Sequence, residues 1–562
     1  MDSPHQRLER TGEKQIRNPP LLPPEVIYTI ARQILQKSDL LSFGLVHSAF
    51  HDVVIPYYLK FREVIFGLGN IRMWEYLVGD PRRLATVEVL QIAPNFDRFS
   101  SHIGPQPPLP ENAAYTEGDP LDTIQRALQG MTRLREVLWD ENFGRPEYRE
   151  ERQIDMKECK QTFWAALPRL CKRVDTVTII TTSHLNDSSC WLCGPLFNEL
   201  HQLQSLRAFT ADFSPCKHNQ SDLLAPHART SQTSIVSAFS RLRELGLSGT
   251  QLQALPGMQF PSLVALSLAG DAFFDTSDGL LRMLEACPRL DSLHLELEDD
   301  ATPLVSYEIE GGSLPSLDIL PMLTSFTGKY DDARIIFFSP LPDGRLRRIS
   351  RLRILGDSAE DLLPPLVSDF ENSATRVGQD LLDLTLRTRS DRNHDEIERL
   401  LWVTWLRTIV NSCPKLRGLI FDIDDQSAGY EDYEETDCWR ETLSPLKDLT
   451  VLKLPNAVWQ CDVDDPIGSE DDVEGLVEEF MEYFPHLRLV FLTHDSALVI
   501  DPEGKHAVSL PEERELFYSD RAMERNWAFH GHLDWNDFDE EIERLLALEP
   551  YAAITHLFSR FF

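Results

Sequence analysis

The sequence predicts an α/β solenoid with a compact helical unit at its N-terminal end and a helical cap at its C-terminal end. Three observations lead there. A short signature recurs along the chain: a leucine, two variable residues, an apolar residue, one variable residue and another apolar residue. Several copies follow an amphipathic helical run that stops near a proline, which cannot continue a helix. Within each copy apolar and polar positions alternate, leaving one strand face free. A doubly wound α/β sheet also places strands after helices, but its strands are buried on both faces and read as near-continuous apolar runs.

The elements follow in order. Residues 1–20 are polar and charged, end in Pro19–Pro20, and are expected to be a disordered tail. Residues 21–66 form the helical unit. Pro23–Pro24 present a φ suited to a helix start, and Glu25 complements the N-terminal dipole. Val26, Ile27, Ile30 and Ile34 then fall three and four apart, on one helix face. Leu40, Leu41, Leu45 and Val46 mark a second helix, and Phe50, Val53 and Val54 a third that Pro56 is expected to end. Helices this short do not bury such stripes among themselves, so part of the apolar face must rest on the repeats or on another protein.

Residues 67–495 carry the repeats, with surface loops expected near 101–120 and 214–234, where Pro, Gly and polar residues concentrate. The plainest copies are CPRLDSLHLEL (287–297), CPKLRGLIFDI (413–423) and FPHLRLVFLTH (484–494). The spacing also fits Leu134–Val137–Trp139, Leu206–Phe209, Leu242–Leu245–Leu247, Leu263–Leu266–Leu268 and Leu449–Leu452–Leu454. Weaker copies stand at Leu84–Val87–Val89, Val174–Val177–Ile179, Leu323–Phe326 and Leu381–Leu384–Leu386. From 496 to 562 the signature stops. There PEERELFYSDRAMERNWAFH and FDEEIERLLALEPYAAITHLFSRFF read as helices, anchored by Trp527, Leu545, Leu546 and Leu557, over the open end of the last repeat.

Charge and composition narrow the function. The 562 residues carry a formal net charge of -35, which disfavours a nucleic-acid partner, since phosphate backbones select basic faces. The N-terminal stretch lacks a signal-peptide core, and no run of about 18 apolar residues exists to span a membrane. A cytoplasmic or nuclear protein with reduced thiols is the expectation for its nine scattered cysteines.

Sites that invite chemistry fall short of it. Cys190, Cys193, Cys216 and His218 offer four zinc-type ligands, but a repeat helix and strand read between them and the last pair is too tight. A calcium loop starting at Asp462 needs Gly and Glu where Ile467 and Val473 stand. GRLRRISRLR (344–353) gathers five arginines, suiting an import element, an anchor for an acidic motif or a solvated face. No catalytic constellation emerges, so no enzyme, metal or cofactor is expected.

The stretch LPPEVIYTIARQIL, followed by DLLSFGLVHSAFHDVV, resembles an F-box, and the repeats resemble irregular leucine-rich repeats. Proteins of that combined family are substrate-recognition subunits of SCF-type (Skp–cullin–F-box) ubiquitin ligases. The resemblance implies that Leu22, Pro23, Ile27, Ile30, Ile34, Leu40, Leu41, Leu45, Val46 and Phe50 dock onto a Skp-family adaptor, and through it a cullin scaffold. Gly44 departs from the pattern, costing a helix about 1 kcal/mol relative to Ala. Phe50 and His51 stand where the family commonly has Trp and a basic residue. In such repeats alternate strand residues line a concave face that holds a target protein. Here these are Glu136, Asp140, Glu244, His294, Glu296, Thr385, Arg387, Asp422, Lys453 and Phe491. Of these, Glu136, His294, Arg387, Lys453 and Phe491 are the candidate target-binding residues, with Arg387 and Phe491 foremost, because aromatic and arginine anchors concentrate binding energy. A leucine-rich-repeat interaction scaffold with no ligase role is the second expectation.

Overall fold

The computed structural model describes residues 22, 24–31, 33–34, 37–59, 61–92, 119–140, 156–180, 202–212, 240–248, 259–270, 278–297, 320–338, 347–356, 359–371, 377–388, 399–422, 437–454, 480–491, 497–500 and 506–509. Its strands are β1 Glu63–Phe66, β2 Val89–Ile92, β3 Glu136–Asp140, β4 Thr176–Ile180, β5 Ala208–Asp212, β6 Glu244–Ser248, β7 Ala265–Gly270 and β8 Ser292–Leu297. They continue as β9 Ser325–Lys329, β10 Arg351–Gly356, β11 Asp383–Thr388, β12 Gly418–Asp422, β13 Val451–Lys453, β14 Leu489–Phe491, β15 Ala497–Ile500 and β16 His506–Ser509.

All sixteen belong to one sheet whose spatial order is the order of the chain. A doubly wound sheet reverses its strand order at a switch point. This sheet never does, so each unit pairs only with its sequence neighbours, which is the connectivity of an α/β solenoid. From β1 to β14 neighbouring strands pair in parallel, beginning Glu63↔Val89↔Glu136↔Thr176 and ending Gly418↔Val451↔Leu489.

The register explains the signature. Val64, Leu90, Val137, Val177, Phe209, Leu245, Leu266 and Leu293 form one row across the strands, continued by Phe326, Leu352, Leu384, Leu419, Leu452 and Val490, and all are buried. The second row runs from Phe66 and Ile92 through Trp139 and Ile179 to Leu386 and Phe421. Trp139 lies at the centre of an aromatic cluster with Phe163 and Trp164, each at a ring separation of 5.1 Å.

A residue three places before the leucine completes the repeat. In Phe260–Pro261–Ser262–Leu263, Cys287–Pro288–Arg289–Leu290, Leu320–Pro321–Met322–Leu323, Cys413–Pro414–Lys415–Leu416 and Phe484–Pro485–His486–Leu487, the leucine N–H donates to the carbonyl of the first residue at 3.0–3.3 Å. Proline suits the second place because its fixed φ matches position i+1 of such a turn. It therefore builds the corner into the strand and, at Pro288, Pro414 and Pro485, follows the end of a described helix.

Three expectations need correction. The copy at Leu84–Val87–Val89 is misplaced by three residues: the buried set is Val87, Leu90 and Ile92, while Leu84 belongs to the preceding helix, Pro81–Thr86. Leu84 occupies a helix position that happens to mimic the strand period. Two further copies are present, Phe61–Val64–Phe66 and Ile349–Leu352–Ile354, all buried. The first puts β1 inside the stretch assigned to the helical unit, so the solenoid starts before residue 67. Finally, the stretch after 496 opens with strands: β15 and β16 pair antiparallel as a hairpin on β14. Alternation at Leu498–Ile500, both buried, carries the sheet past the last parallel repeat. Residues 510–562, with Trp527, Leu545, Leu546 and Leu557, lie outside the described residues, as do the tail 1–20, the loop 214–234, Cys190, Cys193, Cys216, His218 and Asp462. Of the loop near 101–120 only the end is described, where Asp119 Oδ1 accepts from Leu121 N at 3.1 Å and Pro120 opens a helix to Gly130.

Gly328 interrupts the second apolar row. A Cβ there would lie 2.7 Å from Cζ of Phe326 and 3.1 Å from the Leu295 carbonyl oxygen. The Phe326 ring already fills the place a leucine takes elsewhere. Restoring the repeat's consensus with Gly328→Leu is expected to lower stability by about 1–3 kcal/mol through overpacking, read as a lower urea midpoint.

Cys159, Cys171, Cys287 and Cys413 are buried thiols that form no disulfide with one another. Burial pushes the thiols of Cys171 and Cys287 up to about 12. Their Sγ atoms donate to the carbonyls of Leu128 (3.3 Å) and Met283 (3.1 Å). The thiolate is the reactive form, so these two sites should resist iodoacetamide in the folded chain and react fully in denaturant, as peptide mass mapping would show.

Candidate functional site

The helical unit consists of α1 (Pro24–Ala31), α2 (Lys37–Leu45) and α3 (Ser48–Val53), and α3 continues as a π-helical turn, Val54–Leu59. Pro56 does not end the third helix. The wider π turn accommodates a residue that cannot donate to the ladder. Through this turn Tyr58 reaches back to α1, 6.1 Å from the Tyr28 ring, and its hydroxyl donates to the Tyr28 carbonyl at 3.4 Å.

That extension lets the unit close a core of its own. Ile27, Ala31, Leu40, Phe50, Val53, Val54 and Tyr58 form a buried cluster separate from that of the solenoid. Phe50 stacks on Phe43 at 4.7 Å. Gly44 now has a reason: a Cβ there would meet Val54 Cγ1 at 3.2 Å, so its absence lets α2 lie close to the π turn.

The candidate docking residues therefore divide. Ile27, Leu40 and Phe50 point into the unit's core and are not available as a contact surface, a correction to their expected role. Leu22, Ile30 and Ile34 are half-buried, and Pro23 lies outside the described residues. Leu41, Leu45 and Val46 are 43%, 67% and 70% exposed. Among the described residues the exposed large apolar side chains are these three, Val26 and Met322, so four of the five belong to the helical unit. Leu41 and Leu45 stand one turn apart on α2, and Val46 follows directly.

A buried charge cluster joins this unit to the solenoid. Arg62 donates to the Ile34 carbonyl at 3.2 Å and pairs with Glu88 at 2.9 Å, and Glu88 also pairs with Arg133. Glu88 thus sits between the segments leading into β1, β2 and β3. On the helix Pro81–Thr86, Arg83 lies 3.9 Å over the Tyr76 ring and donates to the Tyr76 carbonyl at 2.7 Å. The sequence signals neither cluster, because no period or motif links residues 34, 62, 88 and 133.

The second surface is the outward face of the sheet. The register puts Glu136, Glu244, Thr385, Arg387, Asp422, Lys453 and Phe491 in the rows between the buried ones, as the alternation predicts. Their environments differ. Glu136, Glu244 and Arg387 are half-buried. Lys453 is 3% exposed, and the same face is closed at Ile420, Val451 and Leu489, so Lys453 is not a free contact residue. His294 is also buried, with Nε2 3.4 Å from Glu296 Oε2 on the same face, so it is not an open contact residue. Among the described residues no cluster of His, Cys, Asp and Glu suits a metal ion, and no helix is long and apolar enough to cross a membrane.

No family model and no curated protein matches the chain. Among solved structures it is similar to a crystal structure of a TLR13–ssRNA13 complex, at 13% identity and a TM-score of 0.24, over 67% of this chain. It spans about half of that chain's length, 55%. It is also similar to a sugar phosphate isomerase/epimerase from Parabacteroides distasonis, at 12% identity and a TM-score of 0.15, over 47% of this chain and 98% of that one. Likenesses this slight leave the fold to rest on the strand order itself.

Proposed function

We propose that the chain is a non-catalytic substrate-recognition subunit of an SCF-type ubiquitin ligase, in which the helical unit docks a Skp-family adaptor and the sheet's outward face holds a target protein. The observation that carries this reading is the exposed trio Leu41, Leu45 and Val46 on a unit whose own core is already closed. Exposed apolar side chains scattered singly are ordinary, but among the described residues four of the five lie within residues 26–46 and mark an interaction face. The F-box resemblance of the same stretch names the partner. The mechanism is proximity: a target and a ubiquitin donor on one frame meet at a raised effective concentration.

Mixing the purified chain with a Skp-family adaptor and a cullin tests the reading. A ternary complex on size exclusion is the expected result. An adaptor complex that excludes the cullin would favour the scaffold alternative, and no adaptor complex would remove the reading.

A further inference from the structure

The corners that lead into β3, β4, β5 and β6 are basic. Arg135, Lys172, Arg173, Arg207, Arg241 and Arg243 stand there, and all six are exposed. Their places follow from the repeat, whose backbone joins the sheet ladder just after the corner. Asp175 N donates to the Arg135 carbonyl at 2.8 Å, and Arg207 N to that of Asp175 at 2.7 Å. Arg243 N donates to the Arg207 carbonyl, also at 2.7 Å. Arg135, Asp175, Arg207 and Arg243 therefore form one row along the strand-entry rim, three strand spacings or about 14 Å long. Arg173 and Arg241 stand two residues before Asp175 and Arg243, with Lys172 next to Arg173.

The ladder uses only the backbone of this row, so nothing in the fold calls for arginine. Among the described residues none of the six cations has an ion pair, and Arg135, Arg173 and Arg243 have no side-chain partner. Lys172, Arg207 and Arg241 each donate to a backbone carbonyl, those of Pro168, Arg241 and Gln204, which leaves their charge uncompensated. Elsewhere on the same rim cations are matched: Arg62 and Arg133 with Glu88, and Arg348 and Lys415 with Asp380. The acids of the stretch are Asp175, which accepts from the Thr176 hydroxyl, and Glu136 and Glu244 at the strand starts, all half-buried.

An uncompensated basic rim in a chain of net charge -35 raises the local potential against the field of the whole molecule. We propose that this rim is a docking site for an acidic polypeptide segment of the target, crossing β3 to β6 in extended form. About five extended residues match the length of the row, and guanidinium forks pair carboxylates in bidentate fashion. A long phosphate backbone would run past the rim into the acidic remainder of the chain, whereas a short segment meets the cations alone. The inference rests on the reading of the solenoid as the target-holding part, and not on the ligase role.

The test is fluorescence anisotropy of a labelled peptide of five glutamates flanked by Gly–Ser, titrated with the full chain. Saturable binding that weakens with added salt, and is absent for the glutamine version, is expected. Arg135→Glu combined with Arg243→Glu should weaken it on the order of tenfold. Lys447→Glu, on the same rim seven strands beyond β6, should leave it unchanged. The pair Arg135→Gln, Arg243→Gln, checked for an unaltered thermal melt, gives a milder variant, expected to lose about threefold. Adaptor binding should stay as in wild type in all of these, and the Leu45→Asp, Val46→Asp chain should keep the peptide, so failure of either claim leaves the other standing. Equal binding of the glutamine peptide, full affinity in the folded Arg135, Arg243 variants, or equal loss in Lys447→Glu would overturn the proposal. So would preference for single-stranded RNA over the peptide, or binding that appears only after residues 461–472 are removed, since that makes the chain's own acidic segment the occupant.

Discussion

A chain carrying Leu45→Asp and Val46→Asp is expected to lose the Skp-family adaptor while keeping its fold. Both side chains are largely exposed in the free chain, at 67% and 70%, so their replacement removes little packing. In a complex each would lose the two-thirds of its surface that is exposed, and full burial of such a side chain stabilises by about 1.5–3 kcal/mol. The pair thus carries about 2–4 kcal/mol, roughly one and a half to three decades of affinity, before the added cost of desolvating two carboxylates. A pull-down with purified adaptor, beside a circular-dichroism spectrum matching wild type, measures it. Ile27→Asp offers no such test. Ile27 is 1% exposed inside the unit's own core, and its loss would unfold the helices whatever they bind.

Replacing Glu88 with alanine is expected to destabilise the N-terminal end of the solenoid by about 3–5 kcal/mol, the usual cost of removing one member of a buried ion pair. Glu88 is 9% exposed and faces both Arg62 and Arg133, so its loss takes a carboxylate away from two guanidiniums at once. Arg62 also holds the Ile34 carbonyl, so the effect should reach the helical unit. Native-state hydrogen exchange gives the readout: amides of β1, β2 and α1 should lose protection together, and those of β11 and β12 should not, because a solenoid unit depends chiefly on its neighbours. Equal loss along the whole sheet would contradict that localisation.

The architecture was largely legible because its signal is repeated. Every copy of the signature asks for the same buried places, and Leu134–Val137–Trp139 or Leu263–Leu266–Leu268 states it without ambiguity. The copies that escaped notice did so for physical reasons. Ile349–Leu352–Ile354 is interleaved with Arg347, Arg348, Arg351 and Arg353, so the stretch reads as a basic run. In fact those arginines separate: Arg347 is buried, donating to the Leu320 carbonyl, Arg348 is exposed near Asp380, and Arg351 and Arg353 stand on β10. Strand alternation converts one linear cluster into groups with different tasks. The helical unit was legible in kind but not in facing. Helical period placed Ile27 and Leu40 on apolar stripes, and only the π turn after α3 decides that they point inward while Leu41 and Leu45 do not. The Glu88 cluster joins residues far apart in sequence, which no local pattern can announce.

The most direct test of the central claim is a calorimetric titration of the full chain with a purified Skp-family adaptor at several temperatures. The account predicts saturable one-to-one binding with a negative heat-capacity change, the mark of apolar burial, and its loss in the Leu45→Asp, Val46→Asp chain. No binding by wild type, or undiminished binding by that variant, would contradict it.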